Sequence, residues 1–167
     1  ILRNGVNAGS HYKEVWIRDL NTFIAPAINK ENISVFRDNL LLFIEFQGEN
    51  GEIADGIVVN KNSAEKYNYL HSKKYSDLLA FKNTVATDQE SSLVQAFAQY
   101  IRATGDVKIL QEIINGMTVL ERLEKAMFFL MKERSDSFTG LLWGGTTADW
   151  GDVQPETLWG TSMDSKS

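Results

Sequence analysis

The chain of 167 residues contains no cysteine. That excludes disulfides, thiolate metal sites and a cysteine nucleophile. The only histidines, His11 and His71, lie too far apart for metal-ligand spacing and read as surface residues, so neither a metal nor another cofactor is expected. Proline occurs only at 26 and 155, which leaves long stretches free to be helical. Positive charge is scarce: the formal net charge is −5 and no basic stripe exists, which argues against nucleic acid as a partner. Long apolar runs are missing too. The greasiest stretch, Leu40 to Phe46, is interrupted by Glu45 and falls far short of the roughly twenty residues of a membrane span, so no membrane partner is expected.

What is present is ordinary for a soluble globular protein: 43% apolar and 23% charged residues. The chain is long enough for one domain. It begins at Ile1 and ends at Thr161-Ser-Met-Asp-Ser-Lys-Ser167 without a helix stop. Both ends therefore read as cut from a longer frame, and localisation is not legible.

Periodicity predicts four helices. Trp16, Leu20, Phe23, Ile24 and Ala27 mark the first, over about Val15 to Ile28, with Pro26 near its end. Ile33, Phe36, Leu40, Phe43 and Ile44 mark the second, over about Ile33 to Phe46, with Asn32 as N-cap. From Gly48 to Ala86 the signal weakens. Ile57-Val-Val59 reads as a short strand, and Lys61 to Lys74 as an excursion over the surface. Thr87-Asp-Gln-Glu90 reads as a capping box opening the third helix. Leu93, Val94, Phe97, Tyr100 and Ile101 give it a stripe, and Gly105 closes it in a left-handed C-cap. Asp106 is expected to cap the fourth helix at once, making an αα-hairpin with a minimal turn. That helix is predicted over about Val107 to Arg134. Leu110, Ile113, Ile114, Met117, Leu120, Leu123, Met127, Leu130 and Met131 form its seam, and Asn115 and Arg122 fall on its wet side. After Asp136 glycine is too frequent for helix, and a further helix is expected to begin near Pro155. The fold class read from this pattern is all-α, built from helical hairpins with long glycine-rich loops.

Three segments combine aromatic, carboxylate and guanidinium groups near predicted helix N-termini: Trp16-Ile-Arg-Asp19, Thr87-Asp-Gln-Glu-Ser91 and Ala148-Asp-Trp-Gly-Asp152. Each interval between them holds one hairpin and a loop, so side-by-side hairpins bring the three to one end of a bundle. The resulting inventory suits a sugar. Indole faces stack on pyranose C–H groups, and Arg and Asp hold hydroxyls. Glycoside cleavage needs a carboxylic acid and a second carboxylate. Taken singly, Trp16-Ile-Arg-Asp19 also reads as a core Trp beside a surface ion pair, and Asp88 and Glu90 as helix-capping groups. Gly144-Gly145 lacks the following lysine of a phosphate cradle. Asp149 and Asp152 flanking Trp150 in a glycine-rich loop have little structural purpose and read as functional.

With Trp16-Ile-Arg-Asp19, Asp88-Gln-Glu-Ser-Ser92, Thr104-Gly-Asp106 and Leu142-Trp-Gly-Gly-Thr-Thr-Ala-Asp-Trp-Gly-Asp152 in this order, the chain resembles the six-hairpin glycosidase superfamily from about Gly5 to Glu156. Glucoamylases, debranching glucosidases and cellobiose-type phosphorylases belong to it. The resemblance implies part of an (α/α)6 toroid, about two hairpins and the start of a third across 1–167. It implies an inverting acid–base cleavage of glycosidic bonds. Asp152 is then the general acid, with Asp149 as second choice, since the stretch is similar to the acid loop of the phosphorylase and debranching branches. Trp16, Arg18, Asp19, Asp88, Glu90, Trp143, Trp150 and Glu156 form the sugar-binding set. Some branches carry the acid on Glu, for which Glu156 is the candidate. The partner base is expected beyond this chain, which alone is then catalytically unfinished. Apolar faces meant for absent neighbours, such as Ile109, Val119, Phe128 and Phe129, lead to an expected homo-oligomer. The alternative is a non-catalytic helical-hairpin module that binds a sugar or a protein partner.

Overall fold

A computed structural model describes residues 14–59, 68–72, 74–82, 86–145 and 163–165. Its element order is β1 (Val15–Trp16), α1 (Ile17–Ala27), α2 (Ile33–Glu45), β2 (Gly56–Val59), β3 (Asn68–Leu70), β4 (Leu78–Lys82), α3 (Gln89–Thr104), a 3-10 segment (Val107–Gln111), β5 (Ile113–Ile114), β6 (Met117–Thr118), α4 (Val119–Glu133), β7 (Trp143–Gly145) and β8 (Met163–Ser165). The all-α expectation is thereby corrected to a mixed helix and sheet class. Four strands form an antiparallel sheet in the order β1-β2-β4-β3, and two further two-stranded ladders pair β5 with β6 and β7 with β8. Among the described residues no helix is long and apolar enough to cross a membrane.

The sheet escaped the sequence reading for a physical reason. Ile57, Val58, Leu78, Leu79, Ala80 and Phe81 are all buried. With both faces covered, the strands lose the period-two alternation by which a half-exposed sheet announces itself. The excursion expected over Lys61 to Lys74 contains a strand, Asn68–Leu70, paired with β4.

The first three helices lie where periodicity put them. α1 buries Ile17, Leu20 and Ile24, and α2 buries Phe36, Leu40 and Phe43 on one stripe, with Leu42 and Ile44 beside it. Asn32 stands at the N-cap position of α2 but does not cap it. Its side chain instead closes the turn from α1, accepting from Asn29 N (2.7 Å) and donating to Ala27 O (2.8 Å). Among the helices α1 packs most extensively on α3. Leu93, Ala96, Phe97 and Tyr100 of α3 enter the same core as Leu20, Ile24 and Phe43, while Asn21 hydrogen-bonds Gln95 and Gln99 along the helix pair.

The start of α3 departs from expectation. Asp88, not Thr87, is the N-cap residue, and no side chain caps the helix there. The capping box sits instead at α4, where Thr118 Oγ accepts from Glu121 N (3.2 Å) and Glu121 Oε2 accepts from Thr118 N (2.7 Å). Gly105 does close α3 at φ 74°. Asp106 caps nothing; it accepts from Tyr100 OH (3.0 Å) and Arg37 Nε (3.3 Å).

The long fourth helix is shorter than predicted. A 3-10 segment and a β-hairpin occupy residues 107–118, and α4 begins only at Val119. Asn115 (φ 49°) and Gly116 (φ 82°) turn the hairpin, the left-handed pair that a tight two-residue turn demands. Arg122, assigned by sequence to the wet side, is buried. Its Nε donates to Ile114 O (2.8 Å) and its Nη2 to Asn115 O (3.2 Å), so it holds the hairpin against α4.

Of the faces expected to lie bare, Ile109, Val119 and Phe129 are in fact buried. Phe128 alone of the four is exposed, at 61%. It borders an apolar groove of about 490 Å3 between α3 and α4, with Val94, Ile101, Leu120, Met127 and Met131 among its walls.

Candidate functional site

The site begins with one register. Trp16 of β1 pairs with Gly56 of β2, and Gly56 pairs with Phe81 of β4. Three abreast residues point to one face of a sheet. The middle one is glycine, so the outer rings meet above it, with centroids 5.0 Å apart at an interplanar angle of 81°. A Cβ on Gly56 would lie 2.8 Å from Phe81 Cζ, so a larger residue there would have to displace the Phe81 ring. Trp16 is thus held edge-to-face, a favoured aromatic geometry.

The chain passes directly from Trp16 into α1, which sets Arg18 and Asp19 in the first helical turn. Arg18 Cζ lies 5.8 Å from the Trp16 ring centroid, within cation–π range. Arg18 Nη1 donates to Asp55 Oδ1 and to Asp88 Oδ1, the latter at 3.4 Å. Asp88 comes from the start of α3, seventy positions away, so the convergence expected of the first two segments is present. Asp19 adds its negative charge beside Arg18.

Asp55 is the residue that sequence reading missed. It stands just before Gly56 and is wholly buried. Its backbone is tied on both sides: its N–H donates to Phe81 O (2.8 Å), and its carbonyl accepts from Ile17 N (3.0 Å). The neighbouring Gln89 side chain, like Arg18, favours the charged form of the carboxylate. Burial pushes the Asp55 carboxyl above the usual carboxylate range, because desolvation outweighs the opposing pull of Arg18. Burial also opposes the Arg18 charge, but Asp55 and Asp88 more than offset this and hold the guanidinium above its ordinary pKa.

Glu90 is buried as well. Its Oε1 accepts from Ile53 N (2.9 Å), so it fastens the loop that carries Asp55 to the start of α3. This is a different use from reaching back within a capping box, and it keeps Glu90 away from solvent. Trp143 sits in β7, where its N–H donates to Arg134 O (2.6 Å); none of the Arg18 contacts involves it. Asp149, Trp150, Asp152 and Glu156 lie outside the described residues, as does the helix expected near Pro155.

Chemically, the arrangement offers a fixed indole, a planar donor and an exposed carboxylate acceptor side by side. The charged groups around Arg18 are predominantly acidic. Among the described residues no group of three or more His, Asp or Glu is set to hold a metal ion. Comparison with protein-family models and with curated proteins gives no match to either.

Proposed function

We propose that the Trp16–Arg18–Asp88 cluster binds a carbohydrate, and that the chain belongs to an enzyme cleaving glycosidic bonds by inversion. One observation carries the first part. Residues singled out in two distant segments, for the chemistry a sugar requires, meet around one guanidinium with an aromatic ring against it. A pyranose stacks its C–H face on indole, and adjacent hydroxyls take donors from Arg and an acceptor from Asp. Asp88 is 48% exposed and Arg18 24% exposed, so both are reachable by a ligand.

The second part rests on the resemblance carried by the Trp16-Ile-Arg-Asp19 and Ala148-Asp-Trp-Gly-Asp152 motifs. In this reading Asp152 protonates the glycosidic oxygen as the bond from the anomeric carbon breaks. Water attacks from the opposite face and gives its proton to a base outside this chain, whereas phosphate, already anionic, attacks that face directly and needs no base. The test is a panel of nitrophenyl glycosides, with and without phosphate, on the full-length protein. Asp152→Asn is expected to lower turnover by about 100-fold or more, as removal of a general acid does. Undiminished turnover in that variant removes Asp152 from the role, and Asp149→Asn is then the comparison.

A further inference from the structure

Arg18 has two carboxylate partners, and they are not equivalent. Asp55 is 1% exposed in its side chain and Asp88 is 48% exposed, yet both meet the same nitrogen, Nη1. The guanidinium carries five N–H donors in a rigid fork. Among the described residues Nε and Nη2 have no hydrogen-bond acceptor. A pair built for stability alone would be expected to lie fork to fork, two N–H groups on two oxygens. Here Asp55 spends a single oxygen on Arg18, and its Oδ2, fully buried, has no hydrogen-bond partner among the described residues. Leaving a buried acceptor unpaired is destabilising, and a buried ion pair gives little net stability in return.

We infer that Asp55 is the positioning residue of this site: it anchors Arg18 from the buried side through Nη1 and leaves the Nε–Nη2 edge to the ligand, while Asp88 is the exchangeable outer partner. This rests on the reading of Arg18 as a sugar-binding group. The anchor is stiff because its backbone is fixed to β4 and to the start of α1 (Asp55 N to Phe81 O, Ile17 N to Asp55 O). Its loop is fastened again by Glu90 through Ile53 N. An arginine held this way loses little side-chain freedom on binding, which is how a preorganised donor raises affinity.

Two readouts test the anchor separately from the ligand. The first is the Arg18 Nε–H signal in nitrogen-15 spectra of the free protein. It should be resolved in the native chain and in Asp88→Asn, and lost to exchange in Asp55→Asn. A signal that survives Asp55→Asn unchanged overturns the inference. The second is affinity for maltose and for cellobiose, used as probes. Asp55→Asn should weaken whichever probe binds by about tenfold or more, and should have no further effect in an Arg18→Gln background. An equal loss in both backgrounds marks Asp55 as merely structural and also overturns it. If Asp55→Asn does not fold, Arg18→Lys replaces it: the charge facing Asp55 is kept but the fork is lost, so folding should persist while affinity drops by about tenfold. Undiminished affinity in Arg18→Lys contradicts the inference. Failure of the native protein to bind either sugar counts against the proposed function alone, and the nitrogen spectra still decide the anchor.

Discussion

Gly56 shows how one missing atom shapes the site. The row Trp16–Gly56–Phe81 works only because the central position has no side chain to hold the two rings apart. Gly56→Ala would press a methyl group to 2.8 Å from the Phe81 ring. Overpacking of this kind typically costs about 1–3 kcal/mol. Urea unfolding is expected to show that loss, and Trp16 fluorescence should change in the folded variant. A Gly56→Ala variant as stable as the native chain would mean that the ring pair does not depend on the glycine. At this scale the sequence was half legible. Trp16, Arg18 and Asp88 were recognisable because aromatic, guanidinium and carboxylate groups stood together near helix starts. Asp55 was not, because Asp before Gly reads as a turn, and only the long-range pairing to Ile17 and Phe81 buries it. The spacing of Glu90 from Thr87 points to a capping box, but its carboxylate serves Ile53 across the fold, a partner no local pattern names.

The hairpin before α4 belongs to the scale of elements. Ile113, Ile114 and Met117 continue the helical stripe of α4, so periodicity alone runs straight through them. The local chemistry said otherwise: Asn115-Gly116 is a strong tight-turn signal, and Thr118-Val-Leu-Glu121 is a capping box. Where stripe and turn chemistry conflict, the turn wins, because φ > 0 at two successive residues cannot be absorbed into a helix. Gly116→Ala has open space around its Cβ. Its cost is therefore purely conformational, about 1 kcal/mol, against the steric cost at Gly56. Thr118→Ala should lose about 1 kcal/mol by chemical denaturation. Hydrogen bonds from Thr118 lower the Glu121 pKa below its ordinary value. A depressed carboxylate stabilises the fold fully above the unfolded pKa, and that contribution fades as pH falls through the folded one. The stability difference between the native chain and Glu121→Gln should thus be present at neutral pH and vanish in acid. A difference independent of pH would contradict the capping assignment.

On the scale of the whole molecule, three helix positions were readable from a 3.6-residue period, but the class was not, since a sheet buried on both faces has no alternating signature. The same limit misassigned the outer surface. Phe128 and Phe129 are neighbours in sequence and equally apolar, yet one is 61% exposed and the other 6%. Phe129→Ala is expected to cost about 3–5 kcal/mol. Phe128→Ala should cost less than about 1 kcal/mol, mostly the Lys132 cation–π contact. Equal costs in thermal unfolding would contradict this division between core and groove. The central claim concerns the place where α1, the start of α3 and the sheet meet around Arg18. Its most direct test is a titration of the nitrogen-15-labelled protein with neutral oligosaccharides, following the Trp16 indole N–H, assigned by Trp16→Phe, and the Arg18 Nε–H. Both signals are expected to shift together and saturate, and the indole shift should disappear in Arg18→Gln. No shift with any saccharide, or an indole shift that persists without Arg18, would contradict the account.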